Sequence, residues 1–178
     1  KRLLKVNKKV SDLQLKSLKE LRLKNYEEIL TLDEFLELIC GKVPILVELK
    51  DQDGFLGRST GLIESAVASS LKEYNGPVAV MSFNPNYVKE FGLRLPHVPR
   101  GLVTESFNEC DWPKIDSRKL TGLRSLKKLE EVAASFISHK YSDLNSKFVT
   151  QISKKIKIFS CSIRDKRDLA VALRRSDN

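Results

Sequence analysis

The chain has 178 residues, of which 41% are hydrophobic and 31% charged, enough for one domain with a real core and not the composition of a disordered chain. An excess of 32 Lys and Arg over 23 Asp and Glu gives a net charge of +9, which is compatible with nucleic acid, an acidic membrane surface or a small anionic substrate and chooses none of them. No apolar run reaches the roughly 18 residues of a membrane span, and the basic start Lys1-Arg2-Leu3-Leu4-Lys5 lacks the apolar stretch of a signal peptide. Cys40, Cys110 and Cys161 are widely spaced with no CxxC pair, which speaks against a zinc site or disulfide framework and for a reducing, cytoplasmic setting.

In chain order, Ser11-Asp12-Leu13-Gln14 has the form of a capping box and Leu15, Leu18 and Leu21 recur at helical spacing, predicting a helix near residues 12 to 22. Thr31-Leu32-Asp33-Glu34 is a second capping box, followed by an apolar face of Phe35, Leu36, Ile39 and Cys40 and a stop at Gly41. A strand is expected over Val43–Lys50, with Pro44 at its edge and Glu48 and Lys50 interrupting its apolar end. A helix over Gly61–Tyr74 ends at Asn75-Gly76-Pro77, and Val78–Phe83 is the next strand. Asn84-Pro85 opens a short helix to about Phe91, and Pro96 and Pro99 flank the turn into a strand over Arg100–Thr104. A basic helix around Leu120–Val132 precedes a strand over Ala134–Ser138. A helix near residues 146 to 154 precedes another strand over Ile156–Ile163, and an amphipathic helix bearing Leu169, Ala170, Ala172 and Leu173 closes the series at Arg174-Arg175.

Strands separated by helices define an α/β chain of repeated βα units, which either close into a barrel or remain an open doubly wound sheet. No Gly-rich phosphate fingerprint follows any strand, which counts against a dinucleotide-binding sheet.

Leu30-Thr31-Leu32-Asp33-Glu34-Phe35-Leu36-Glu37-Leu38 and Val43-Pro44-Ile45-Leu46-Val47-Glu48-Leu49-Lys50 together resemble the "PTL-E-L…P-L-IE-K" segment of bacterial glycerophosphodiester phosphodiesterases. Tyr74–Pro85, Pro99–Val103 and Ser135–His139 are similar, in order, to that family's following strands, so the resemblance runs over nearly the whole chain. It implies a TIM-like (β/α)8 barrel of the phosphatidylinositol-phospholipase-C-like phosphodiesterase type, here incomplete, with about five βα units forming one partial domain over residues 1–178. A full barrel typically takes about 250 residues. The family's His-Arg-Gly, Glu-x-Asp and His-Asp motifs, carried on its first three strands, have no counterpart here, since the two histidines are His97 and His139 and neither stands in such a motif.

What the resemblance does supply is the Glu-Leu-Lys of the fourth family strand. Residues two apart on a strand share a face, so Glu48 and Lys50 both look into the barrel at its C-terminal mouth, where such barrels place their active sites. Without the family match they would read as an ordinary strand-end ion pair. The resemblance makes Glu48 a ligand of a divalent cation, Mg²⁺ or Ca²⁺, and Lys50 the catalytic and substrate-binding ammonium beside the phosphate. Ser82 and Phe83 end the next strand and are candidates for lining the pocket, with Phe83 serving equally well as a core cap. His139 is a candidate for the mouth or for a position behind it. Cys161 stands where the family often has a pocket tryptophan, which puts the usual head-group preference in question.

The implied reaction of the complete protein is hydrolysis of a small-molecule glycerophosphodiester to glycerol 3-phosphate and an alcohol, within lipid and glycerol metabolism. The alternative is a truncated, catalytically inactive homologue acting as a binding or interaction protein. Arg118, Lys119, Arg124, Lys127 and Lys128 raise a third reading, a nucleic-acid surface, but no aromatic interleaving or binding motif accompanies them and a solvated helix face accounts for them better, so no nucleic-acid partner is expected. Five barrel strands without the remainder leave two open edges, to be covered by strands outside this sequence or by a second copy of the chain in a homo-oligomer, or else left open at a cost in stability.

Overall fold

The structure, a computed structural model, describes residues 6–177 apart from the side chain of Leu126, so the basic start lies outside the described residues. The chain divides into two compact units, Lys1–Lys42 and Val43–Asn178.

In the first unit the expected helix over residues 12 to 22 is split. A 3₁₀ turn spans Val10–Asp12 and helix α1 begins later, at Leu15–Glu20. Ser11 does not cap it, because its hydroxyl donates to the neighbouring Asp12 carboxylate, and α1 opens after Gln14 with no side-chain cap. The second predicted box forms fully at α2, Leu32–Ile39. The Glu34 N–H donates to Thr31 Oγ1 at 3.2 Å and the Thr31 N–H donates to Glu34 Oε2 at 2.7 Å. Lys19 Nζ, 2.5 Å from the same Oε2, holds that carboxylate in place. The stop comes one residue before Gly41, at Cys40, whose φ of 48° is already left-handed. Thr31→Ala is expected to weaken α2 by about 1 kcal/mol, read as faster hydrogen exchange at its first-turn amides; unchanged exchange would mean that the cap carries no stability.

The second unit holds β1 Ile45–Glu48, α3 Leu62–Lys72, β2 Val78–Ser82, α4 Pro85–Arg94, β3 Arg100–Thr104, α5 Ser117–Leu123, α6 Leu126–Glu131, β4 Phe136–Lys140, α7 Lys147–Ile152, β5 Lys157–Cys161 and α8 Lys166–Ala172. The basic helix expected as one element is two. Ser125 caps α6 from extended backbone while its hydroxyl donates to the Gly122 carbonyl at the end of α5. β4 starts two residues later than expected, because Ala133 turns left-handed at φ 47° and delays the extended run.

All neighbouring strands are parallel and their order is β1-β2-β3-β4-β5. A doubly wound sheet reverses its strand order about a switch point; a strictly sequential order is the barrel arrangement, in which every crossover advances in one direction. Alternate strand residues therefore face one helix layer. Leu102, Ile137 and Ile158 of β3, β4 and β5 form a core with Val88 of α4, Leu129 of α6, and Val149 and Ile152 of α7. The other face carries Leu46, Ala79, Met81, Gly101, Val103, Phe136, Ser138 and Phe159. The sheet curls far enough for Leu46 of the first strand and Phe159 of the last to line one cavity of about 270 Å³. The curl relies on Gly101, since a Cβ there would stand 2.4 Å from the Phe136 ring. Phe136 in turn packs on Phe159, with ring centroids 5.1 Å apart. The unit is a half-barrel with helices on its outside.

Candidate functional site

The inner face reaches the C-terminal mouth through the residue just past each strand. Leu49 is buried on the helix side and its N–H donates to the Met81 carbonyl, so Glu48 and Lys50 project together on the inner side with Nζ 2.7 Å from Oε1. The same alternation brings Phe83 after Met81, Glu105 after Val103, Lys140 after Ser138 and Cys161 after Phe159 to the mouth. Lys140 Nζ lies 3.5 Å from Glu105 Oε2, and the Trp112 indole N–H donates to Glu105 Oε1 at 2.5 Å. Burial pushes the Cys161 thiol up, opposed by a hydrogen bond with Ser138 and reinforced by the negative charge of Glu105 and Glu48. The carboxylates of Glu48, on edge strand β1, and of Glu105, just past the central strand β3, thus act on one sulfur of β5.

Two predicted pocket residues sit elsewhere. Ser82 and His139 have the opposite strand parity and point into the helix layer. Ser82 is 0% exposed, donates to the Leu49 carbonyl at 2.6 Å and accepts from the Asn84 N–H at 3.0 Å. His139 is 1% exposed, with Nδ1 2.7 Å from Thr104 Oγ1 and its ring 6.3 Å from that of Phe148. His97 is exposed on the turn between α4 and β3, at the other end of the strands. The structure brings Glu48, Lys50, Phe83 and Cys161 together and neither histidine with them.

Burial holds the His139 imidazole below its ordinary value of 6.5, with the Asp143 charge opposing. An imidazole that resists protonation when folded leaves the unfolded chain binding more protons below pH 6.5, so stability rises with pH there. Its contribution is complete above the unfolded value and is lost as the pH falls from that value through the depressed folded one. The melting temperature is therefore expected to drop on the acid side of pH 6.5 and His139→Leu to flatten that slope; an unchanged slope in the variant would exclude His139 as its source.

Sequence reasoning missed Glu105, Lys140 and Trp112. The first two were accessible by the rule that found Lys50, a charged residue two positions beyond an inward strand residue. Trp112 carries no such signal, being placed by a loop. That rim is fastened by two residues in left-handed conformations. Leu56, at φ 51° in the loop after β1, and Phe107, at φ 49° in the loop after β3, are buried in one cluster with Ile115, Leu120 and Leu123, and Phe83 and Trp112 pack against it. Arg124 Nη2 donates to the Phe107 carbonyl at 2.5 Å and Lys119 Nζ to the Phe55 carbonyl at 2.7 Å, so two cations of the basic stretch hold mouth loops.

Carboxylate oxygens are the donors that hard divalent cations take. Among the described residues no group of three or more His, Cys, Asp and Glu is placed to hold a metal, so the mouth offers single carboxylates rather than a full cage. Among the same residues no helix is long and apolar enough to cross a membrane.

No family model and no curated protein matches the chain. Solved structures do. A phosphodiesterase of Oleispira antarctica, in complex with the product sn-glycerol-3-phosphate, matches with 20% identity and a TM-score of 0.69 over 93% of this chain and 63% of its own. A putative glycerophosphodiester phosphodiesterase from Galdieria sulphuraria matches with 16% identity and a TM-score of 0.72 over 97% and 68%. The glycerophosphodiester phosphodiesterase of Agrobacterium tumefaciens matches with 17% identity and a TM-score of 0.64 over 99% and 70%. At these identities the likeness is one of fold: the chain has the architecture of the glycerophosphodiester phosphodiesterase barrels. It spans roughly two thirds of their length, five βα units of a TIM-like barrel.

Proposed function

We propose that this chain carries the cation-holding and phosphate-holding part of a metal-dependent glycerophosphodiester phosphodiesterase site. The observation that supports it is the placement of Glu48 and Lys50, two residues apart at the C-terminal mouth of a half-barrel of that fold. In this reading Glu48 holds Mg²⁺ or Ca²⁺. Its single carboxylate fits a cation that takes only one or two from the protein and fills its remaining positions with waters and substrate phosphate. Bound there, the cation would polarise the phosphate as a Lewis acid. Lys50, 72% exposed at its side chain, is free to leave Glu48 and offset the charge that develops on the phosphate oxygens, and Lys140 adds a second ammonium from β4. By the resemblance, transfer of a proton to the leaving alkoxide falls to histidines that the family carries on other strands. We place the reaction in lipid and glycerol metabolism and, from the free state of Cys40, Cys110 and Cys161, in the cytoplasm.

One observation favours a second reading. Neither histidine reaches the mouth, which suits a non-catalytic homologue that binds a phosphodiester without cleaving it. Release of glycerol 3-phosphate from glycerophosphocholine, abolished by a chelator and restored by Mg²⁺ or Ca²⁺, would establish the hydrolase. Saturable binding of the diester with no release would establish the binding protein.

A further inference from the structure

We propose that the base of the half-barrel, around the start of β5, docks onto an anionic phospholipid bilayer. The proposal stands apart from the phosphodiester reading, since it concerns the end of the strands opposite the mouth.

Each outer helix runs back along the strands and delivers its last residues to the base. Lys154 and Lys155 follow α7, Lys157 opens β5, and Arg174 and Arg175 follow α8. All five are exposed. Asp177 draws them together, because its N–H donates to the Ile158 carbonyl at 2.7 Å and its Oδ2 accepts from the Ile158 N–H at 2.8 Å, which ties the segment after α8 to β5. Its Oδ1 meets Lys157 Nζ at 2.8 Å, and Glu130 Oε1 lies 3.9 Å from Lys155 Nζ. Lys154, Arg174 and Arg175 form no ion pair among the described residues, so the base keeps an excess of positive charge.

A cation after a helix end complements the helix dipole, which accounts for the residues after α7 and α8 one by one. It does not account for what they surround. Lys154, Lys155 and Lys157 line, with Ser135, Ser153 and Asp177, a hollow of about 300 Å³. A second hollow of about 100 Å³ shares Lys155 and Ile156 with the first and is walled by Leu129, Ala133, Ala134 and Ile152, along with Glu130. Cations around a polar hollow that opens beside an apolar one fit an acidic lipid, whose phosphate meets the ammonium groups while its glycerol and first methylenes meet the apolar walls. Neither hollow is lined by an aromatic ring, the group on which single-stranded nucleic acid stacks.

The opposite end carries the opposite charge. The loop after β3 holds Glu105, Glu109, Asp111 and Asp116 against Lys114. An anionic surface attracts the base and repels this loop, so a docked molecule turns its mouth toward solution.

The test is co-sedimentation of the full chain with vesicles of phosphatidylcholine alone or mixed with phosphatidylglycerol, at about 0.1 M salt, where charges further apart than a Debye length of about 10 Å are screened. Binding is expected to the mixed vesicles only. A cation near an acidic surface contributes about fivefold, so the double variants Lys154→Gln/Lys155→Gln and Arg174→Gln/Arg175→Gln should each weaken it roughly 25-fold at an unchanged melting temperature. Lys166→Gln/Arg167→Gln removes the same charge from the mouth-side start of α8 and should change binding by less than about twofold. Equal losses in all three variants would overturn the proposal, since net charge and not the base would then govern adsorption. Failure to bind the mixed vesicles would also overturn it, and duplex DNA bound in their place, with the same sensitivity to the base variants, would reassign the patch to nucleic acid.

Discussion

If the proposed hydrolase reading holds, Glu48→Gln should lower chelator-sensitive release of glycerol 3-phosphate from glycerophosphocholine by about 10²–10³-fold, the loss usual when one electrostatic contact to the reacting group is removed. The change is nearly isosteric and strips only the charge that a hard cation requires. Its cost to the fold is small. Among the described residues Glu48 forms its salt bridge with Lys50, whose side chain is 72% exposed, and such pairs contribute under about 1 kcal/mol. Loss of activity at an unchanged melting temperature would therefore come from the site. Because Lys50 remains to meet the phosphate, kcat should fall far more than diester affinity, while Lys50→Met should raise KM as well. Full activity in Glu48→Gln would remove Glu48 from the reaction.

The second large effect is one of stability. Phe107→Ala is expected to cost about 3–5 kcal/mol, the range for deleting a buried aromatic side chain. Phe107 is 1% exposed at the centre of the cluster joining the loop after β1 to the loop after β3, and its ring contacts both Phe83 and Trp112, at 6.4 and 5.6 Å between centroids. Alanine leaves that space empty and must still adopt the left-handed backbone at φ 49°. Denaturant unfolding measures the loss directly, and the Trp112 emission should shift with it, since that ring loses one of its walls. A loss below about 1 kcal/mol would mean that the cluster collapses around the gap and that the rim is not fastened there.

Much of the fold was legible in the chain itself because its signals are local. Thr31 and Glu34 satisfy each other within one helical turn, and that box formed as expected. β3 runs over Arg100–Thr104 as expected, starting just after the turn that Pro96 and Pro99 flank. Ser11 failed as a cap because Asp12, one residue away, took its hydroxyl, a competition that a motif does not reveal. The parity rule that placed Glu48 and Lys50 on the inner face would, applied to β2 and β4, have put Ser82 and His139 on the outer one. His139 thus takes the second of the two positions the sequence left open, behind the mouth, and Ser82 lies buried rather than lining the pocket.

The sequence by itself determined the α/β alternation, the positions of the strands and the paired charges at the end of β1, since each depends on residues within a few positions of one another. The tertiary structure alone decided three things: that the strands run in sequential order rather than about a switch point, that the sheet curls until Leu46 and Phe159 share a cavity, and that Trp112 swings onto Glu105. The first two depend on how strands register across long crossovers, where Gly101 permits an approach that no local preference encodes. The third depends on a loop whose course is set by the burial of Leu56 and Phe107, 51 positions apart in the chain, in one cluster. The hydrophobic effect that drives them together acts on area and not on sequence distance, so the partner each finds is known only once the chain has folded.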